Sequence, residues 1–265
     1  MKIHEVNATS MCPIGGKLLP KAFPSEVICH CLIIESEEGL ILIDTGLSLE
    51  SLHEPQDRLG LLNLMLDVQA EPEKAMINQI RKLGFSPRDV RHIIPTHLDN
   101  DHCEGIIDFP LAKVHTSMLE INNARNPISI NAKARYRHFH EHRNWKIHPF
   151  TQGENWFGFK GVKAIDSLKD ELLLIPLYGH TPGHFGVAVK SDQGWLLHAG
   201  DAYYDRKELS ANPPLGMKLF MKMVHENPSK AQENVELLKK LHTKQPEIKI
   251  MCSHDPSEYP CLCQH

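Results

Sequence analysis

A chain of 265 residues with 41% apolar and 23% charged residues can bury a sizeable core, which excludes disordered and fibrous classes. Lys plus Arg number 29 against 33 for Asp plus Glu, a net charge of -4 with no basic run, so the electrostatic footprint of a nucleic-acid binder is missing. Residues Met1 to Asn7 hold no signal-peptide core, no apolar stretch is long enough to span a bilayer, and 7 cysteines fall short of a disulfide scaffold, so a cytoplasmic protein is expected. The 18 histidines are the one compositional excess.

In chain order, Val27 to Ile34 is rich in β-branched residues and reads as a buried strand, turned at Glu37-Glu38-Gly39 into Leu40-Ile41-Leu42-Ile43, which stops at Asp44-Thr45-Gly46. Cys29 and Cys31 share one face of the first strand and read as buried thiols. Leu59 to Leu66 is apolar nearly all round, a buried helix or a flap over a pocket. Glu73 to Leu83 is an amphipathic helix, with Pro72 near its start and Gly84 placed to end it. Val90 to Ile94 is a short strand closed by Pro95, and Ala112 to His115 is another.

The stretch from 120 to 160 is irregular. Its run from Arg135 to His142 alternates charge, aromatic and imidazole, and without a carboxylate or Cys partner at defined spacing His138, His140 and His142 read as an exposed loop or cap. Regular patterning resumes with strands at Glu171 to Leu177, Phe185 to Val189 and Trp195 to Ala199. A helix from Ser229 to Leu241 and a last strand at Ile248 to Cys252 complete the order. No repeat or linker interrupts it, so a single domain over 1–265 is expected, with a cap or insert around 120–160.

The chemistry concentrates where strands end. Thr96-His97-Leu98-Asp99-Asn100-Asp101-His102 follows the 90–94 strand, and a loop there lets two imidazoles and two carboxylates converge, a donor set suited to zinc or another divalent first-row ion. Asp44, His180, Asp201 and His254 also stand at strand ends, mostly in Gly-bracketed turns. Polar side chains delivered to one sheet rim are how open α/β architectures build sites.

In these residues the chain resembles the metallo-β-lactamase superfamily over nearly its full length. The family motif His-x-His-x-Asp-His is matched by His97, Asp99, Asp101 and His102, and its later ligands by His180 in Gly179-His180-Thr181-Pro182-Gly183-His184, by Asp201 and by His254. The resemblance implies an α/β fold, a four-layer αββα sandwich with metals at one rim. It implies one site of His97, Asp99 and His180, another of Asp101, His102 and His254, and Asp201 bridging them. Asp44 would accept a hydrogen bond from a ligating histidine, with His184 also in a supporting position, and His198 would serve packing.

The second motif position is Asp99 where the family has His. A carboxylate is a harder, charged ligand, so the two divalent ions expected here are zinc, with iron or manganese the alternative, and site one could be weakened until a single ion stays. On ligand hardness alone, Asp99→His should raise zinc affinity. Cys103 reads as packing rather than a soft ligand.

A metal-bound hydroxide would make the reaction a hydrolysis, with Asp101 able to carry a proton to the leaving group. Tyr204, three residues after Asp201, matches the Tyr that acyl-homoserine lactonases of the superfamily place at the substrate carbonyl. The function expected is therefore opening of a lactone or related carboxylic ester. The alternatives are a thioesterase resembling glyoxalase II, for which no basic rim cluster stands out, and an iron-dependent oxidoreductase or metal-stabilised binding protein of the same fold. The expected partner is a small-molecule ester or lactone, with neither nucleic acid nor membrane. The Met-bearing segment 213–224 reads equally as acyl-chain pocket, core or homodimer contact.

Overall fold

The computed structural model describes residues 1–19, 24–55, 66–136, 139–151, 153–165, 168, 171–211 and 215–259. One mixed sheet is formed by β1 (Lys2–Met11), β2 (Val27–Ser36), β3 (Gly39–Ile43), β4 (Val90–Ile94), β5 (Lys113–Ser117) and β6 (Trp145–His148), in that spatial order. The pairing is antiparallel through β3 and parallel beyond it. The second sheet runs from β7 (Glu154–Trp156) through β8 (Phe159–Ala164), β9 (Leu172–Pro176), β10 (Phe185–Ser191) and β11 (Gly194–His198) to β12 (Lys249–Met251). It is antiparallel except for the β11–β12 pair.

Side-chain alternation explains the layering. In β2 and β3 both faces are apolar, so neither can face water. Leu32, Ile34, Ile41 and Ile43 point towards the second sheet and meet Leu172, Leu174, Phe185, Val187 and Val189. Cys31, Ile33, Leu40 and Leu42 point the other way, onto Leu52, Met76 and Ile80. Those three belong to helices α2 (Leu49–His53) and α3 (Met76–Lys82), which follow α1 (Ile14–Leu18) in the chain. The far face of the second sheet packs Ile175, Ala188 and Leu197 against a terminal helix at Val235, Leu238 and Leu241. Two sheets between two helical layers is the αββα arrangement.

The remaining helices are α4 (Asn100–Cys103), α5 (Met118–Arg125), α6 (Ile130–Arg135), α7 (Leu215–Val224) and α8 (Pro228–Lys244), the last being the helix just described. Helix α3 begins later than its composition suggests, because Ala75 is extended and a short turn at Pro72–Lys74 precedes it. The 120–160 stretch is more regular than the sequence reads: it supplies most of α5, all of α6, strand β6 on the edge of one sheet and β7 on the edge of the other. Strand β1 was not expected, since its polar residues at Lys2, His4, Glu5 and Asn7 hide an edge strand that buries Val6 and Ala8. Of the apolar 59–66 stretch, residues 59–65 lie outside the described residues, as does His138. Among the described residues no helix is long and apolar enough to cross a membrane.

Three neighbouring strands of the first sheet carry a row of histidines. His92, His115 and His148 stand on β4, β5 and β6 with stacked rings 5.1 and 5.2 Å apart, and their Nδ1–Nε2 contacts are 2.8 and 2.9 Å. One proton fits in each junction; a second would set N–H against N–H. Burial, then the neighbouring His148 and His92, push His115 down to about 3 from 6.5. The folded state thus binds this proton more weakly than the unfolded chain, and stability should fall as pH drops through 6.5 and go on falling towards 3. His115→Gln should flatten that slope, read from urea midpoints across the acid range; an unchanged slope would mean the row is not the acid-sensitive element.

Candidate metal centre

Parallel strands β3, β4, β5, β11 and β12 all end at one rim, and the β9–β10 turn reaches it from the second sheet. Asp44 follows β3, the 96–102 segment follows β4, His180 and His184 lie between β9 and β10, Asp201 follows β11, and His254 follows β12. Backbone bonds tie the sheets together there: Phe185 N–H donates to the Thr96 carbonyl at 3.0 Å, and His30 N–H to the Ser253 carbonyl at 2.9 Å. His198 adds a third tie, donating through Nε2 to the His30 carbonyl at 2.7 Å while its Nδ1 accepts from Gly200 N–H. It is a hydrogen-bonded strut rather than packing alone.

The rim gathers His97, His180 and Asp201 in one group and Asp101, His102 and His254 in another, the ligand atoms of each within 4.8 Å of one another. Asp201 Oδ1 lies 3.3 Å from His102 Nε2, while its Oδ2 lies 3.5 Å from His180 Nε2 and 3.2 Å from His254 Nε2, so this carboxylate reaches both groups. Asp99 Oδ2 stands 3.3 Å from His97 Nε2 and 3.1 Å from His180 Nε2.

Supporting hydrogen bonds decide which nitrogen each imidazole offers. His102 Nδ1–H donates to Asp44 Oδ2 at 2.8 Å. The same carboxylate accepts from Thr96 N–H and from the Thr96 hydroxyl, whose oxygen in turn lies 3.1 Å from His97 Nδ1. His254 Nδ1–H donates to the Ile28 carbonyl at 2.8 Å. All three rings therefore turn Nε2 inwards. His184 works from behind: Nδ1–H donates to the Leu177 carbonyl, and Nε2 accepts the backbone N–H of Asp201 at 3.0 Å. Burial holds His184 down at about 4, which keeps that acceptor free of a proton. Gly200 is required beside it, at φ 57° and with a Cβ that would stand 2.5 Å from His184 Nε2.

The inward atoms test whether a cation fits. His97 Nε2, His102 Nε2, Asp99 Oδ1 and Asp201 Oδ1 are buried and have no protein hydrogen-bond partner. Imidazole lone pairs and carboxylate oxygens aimed at one another repel unless a positive charge lies between them. Burial opposes a proton on His102, yet Asp201, Asp101 and Asp44 together outweigh it and raise this histidine well above its ordinary range. The donor set of imidazole nitrogens and carboxylate oxygens fits a divalent first-row ion.

Several residues of the site escaped sequence reasoning. Glu120 sits one turn into α5, whose start is marked by Ser117 accepting the Glu120 N–H; the Ser-x-x-Glu spacing was the signal available. Fully buried, it accepts from Leu98 N–H at 3.0 Å, the Tyr136 hydroxyl at 2.8 Å, the Thr181 hydroxyl at 2.6 Å and Gly183 N–H at 3.1 Å. One carboxylate thereby clamps the His97 segment to the His180 turn. His225, just after α7, sets Nδ1 3.3 Å from His180 Nδ1. Arg135, at the end of α6, hydrogen-bonds Asp99 Oδ2 through Nη1, which also lies 2.9 Å from His180 Nε2. No spacing rule marks either.

Tyr204 lies at the cup. Its hydroxyl donates to Asp201 Oδ2 at 3.1 Å and stands 3.2 Å from His180 Nδ1, with the ring stacked on His254. Burial, then the Asp201 charge, lift it well above the ordinary phenol range, so it stays a donor. Met217 and Met221 of α7, with Phe220 and Val224, pack on the same tyrosine. Cys103 packs into the core clusters. A cleft of about 580 Å³ opens beside Leu98 and Cys103 and is lined by His140 and His142, but none of the cup histidines or aspartates lines it. Both ring nitrogens of His142 contact backbone, one at the Phe109 carbonyl and one at Asn144 N–H.

A two-sheet sandwich with a histidine and aspartate cup at one rim defines a metallo-hydrolase architecture. The model of the metallo-beta-lactamase superfamily matches residues 24–244, and the chain belongs to that superfamily. A probable metallo-hydrolase of Mycobacterium tuberculosis is 34% identical over 263 residues, covering 98% of this chain and 82% of its own length. An N-acyl homoserine lactonase of Bacillus thuringiensis is 26% identical over 235 residues, covering 85% and 80%. Among solved structures, an N-acyl homoserine lactone hydrolase bound to its product N-hexanoyl-L-homoserine superposes with a TM-score of 0.71 at 22% identity, covering 97% of this chain and 94% of its own. The protein is a hydrolytic enzyme, and enzymes of this superfamily use divalent metal ions.

Two variants probe the supports. Asp44→Ala should weaken metal affinity about 10–100-fold by freeing the His102 and Thr96 contacts, measured by chelator competition. Glu120→Ala orphans four donors and should cost about 3 kcal/mol or more in urea unfolding; parent-like stability would show that other groups clamp the two segments.

Proposed function

We propose that the protein opens a lactone or related carboxylic ester, of the acyl-homoserine lactone kind, at a centre of two divalent ions. The observation that carries this reading is the reach of Asp201 into both ligand groups, with the Tyr204 hydroxyl hydrogen-bonded to that same carboxylate. His97, Asp99 and His180 would hold one ion, Asp101, His102 and His254 the other, and Asp201 both. Zinc suits the donors, with iron or manganese the alternative. When bound, such ions supply a water-derived nucleophile at neutral pH and polarise the scissile carbonyl.

The chain's own residues divide the remaining work. Tyr204 is a protonated donor at the site and would hydrogen-bond the substrate oxygen as negative charge develops there. Burial lifts the Asp101 carboxyl above its usual range, which suits a group that takes up a proton and passes it to the departing alkoxide. In a lactone that alkoxide stays tethered to the acid. Met217, Met221 and Phe220 give the tyrosine an apolar wall against which an acyl chain can lie, and thioethers adapt to its length. The relatives named as N-acyl homoserine lactonases support the same substrate class. Cys29, Cys31 and Cys252 are buried thiols and no disulfide joins the described cysteines, which favours a reducing compartment.

Asp201→Ala should strip bound metal and abolish hydrolysis together; full metal content with retained turnover would remove Asp201 from the centre. Tyr204→Phe should keep its metal and lose about tenfold to a hundredfold in kcat on the preferred lactone. The substrate itself is tested with a panel of acyl lactones, thioesters, aryl esters and phosphodiesters. Preference for a class other than lactones and carboxylic esters would overturn the reading.

A further inference from the structure

We propose that Asp99 and Arg135 act as one neutral unit in place of the second histidine of the metal motif, with Arg135 a positioning residue for the centre. This rests on the reading of the rim as a site for divalent ions. Three observations carry it. Asp99 brings an extra carboxylate into a cup that already holds Asp101 and Asp201, at 3.1 to 3.3 Å from two histidine nitrogens. Arg135 reaches that carboxylate with Nη1 from a helix remote in sequence, and its side chain is only 12% exposed. Its Nη2 donates to the Val224 carbonyl at 2.8 Å, the last residue of α7, so the guanidinium is anchored on its far side as well.

The charge arithmetic explains the pairing. A carboxylate and a guanidinium in contact sum to zero, as does a neutral imidazole. The Asp99–Arg135 pair thus presents site one with an oxygen ligand while leaving the net charge of the centre where a histidine would leave it. Asp99 Oδ2, the oxygen nearest the histidine nitrogens, is the one the guanidinium holds, and the same Nη1 lies 2.9 Å from His180 Nε2, so the cation stands at the rim of site one itself. Asp99 Oδ1 is buried without a protein partner, which leaves one carboxylate oxygen for an ion. Glu226 approaches Arg135 Nε only to 3.6 Å, so Asp99 is the closer counter-charge. On this reading Asp99 remains a hard oxygen ligand but does not overcharge the centre, because its charge arrives with its neutraliser.

This unit predicts effects of opposite sign to a structural role. Zinc affinity is measured by competition with a chromophoric chelator, on variants whose metal-free unfolding in urea verifies the fold. R135M leaves three uncompensated carboxylates and should bind zinc about tenfold or more tightly. R135K keeps a cation and should stay near the parent. D99H should weaken binding, because Arg135 then faces a ligating imidazole with only the more distant Glu226 as counter-charge, and D99H/R135M should recover it. Weaker zinc binding by folded R135M would overturn the proposal, as would additive effects of the two substitutions. If R135M fails to fold, the comparison of D99H with D99H/R135M decides alone, recovery supporting the unit and no recovery sinking it. A parent protein that binds no divalent ion would instead overturn the metal centre itself, and this proposal with it.

Discussion

The arrangement of the rim depends on one unfavourable contact being made tolerable. Imidazole nitrogens and carboxylate oxygens are buried within a few ångströms of one another, and several of them have no hydrogen-bond partner in the protein. Left free, such side chains would rotate outwards or capture protons. They do not rotate outwards, because several are braced from behind by a backbone carbonyl or a buried acid: the Ile28 carbonyl for His254, Asp44 for His102, the Leu177 carbonyl by way of His184 for Asp201. The pull towards a positive charge remains, since burial fails to outweigh Asp201, Asp101 and Asp44 in raising His102. The energy that holds the cup is drawn from the sandwich behind it, where two apolar strand faces leave no room for slippage. A centre preorganised in this way loses little on binding a cation, since the rings need not be ordered first.

The braces also connect elements that share no sequence proximity. Glu120 makes the His97 segment and the His180 turn move as one piece, and Gly183 is the residue that lets α5 come so close, since a Cβ there would stand 2.2 Å from the Glu120 backbone nitrogen. Behind His180, the peptide N–H groups of Glu226 and Asn227 donate to the carbonyls of His180 and Gly179, so the junction of α7 and α8 is fastened to the same turn. Helix α7 is therefore coupled to the ligand set at one end and to Tyr204 along its apolar face. A substrate chain that displaced α7 would act directly on His180.

Much of this was legible in the sequence because strand ends advertise themselves. Apolar runs of five to eight residues that stop in Gly-bracketed acids and histidines locate the rim without a structure, and Asp44, His97, Asp101, His102, His180, Asp201 and His254 lie there. What was not legible belongs to helices whose surfaces are mixed. Arg135 lies in a run of charges, rings and imidazoles that reads as solvated, and only the fold brings its guanidinium to Asp99. His225 follows a Met-rich helix with no local signal. Strand β1 went unseen for a different reason: an edge strand needs only one apolar face, and Val6 and Ala8 supply too little alternation to show through Glu5 and Asn7.

The departure from the family motif is then better understood as a pairwise change than as a weakened site. A histidine replaced by aspartate would by itself pull the centre towards harder ions and add a negative charge to a cup that already holds two carboxylates. The guanidinium offsets that charge at its source, hydrogen-bonded to the carboxylate oxygen, without adding a ligand of its own. It does so from α6, which also carries the residues leading to Tyr136, one of the four donors on Glu120. The same short helix thus contributes charge to one ligand and rigidity to the segments bearing four others. Residues that a motif does not contain can in this way decide what the motif does.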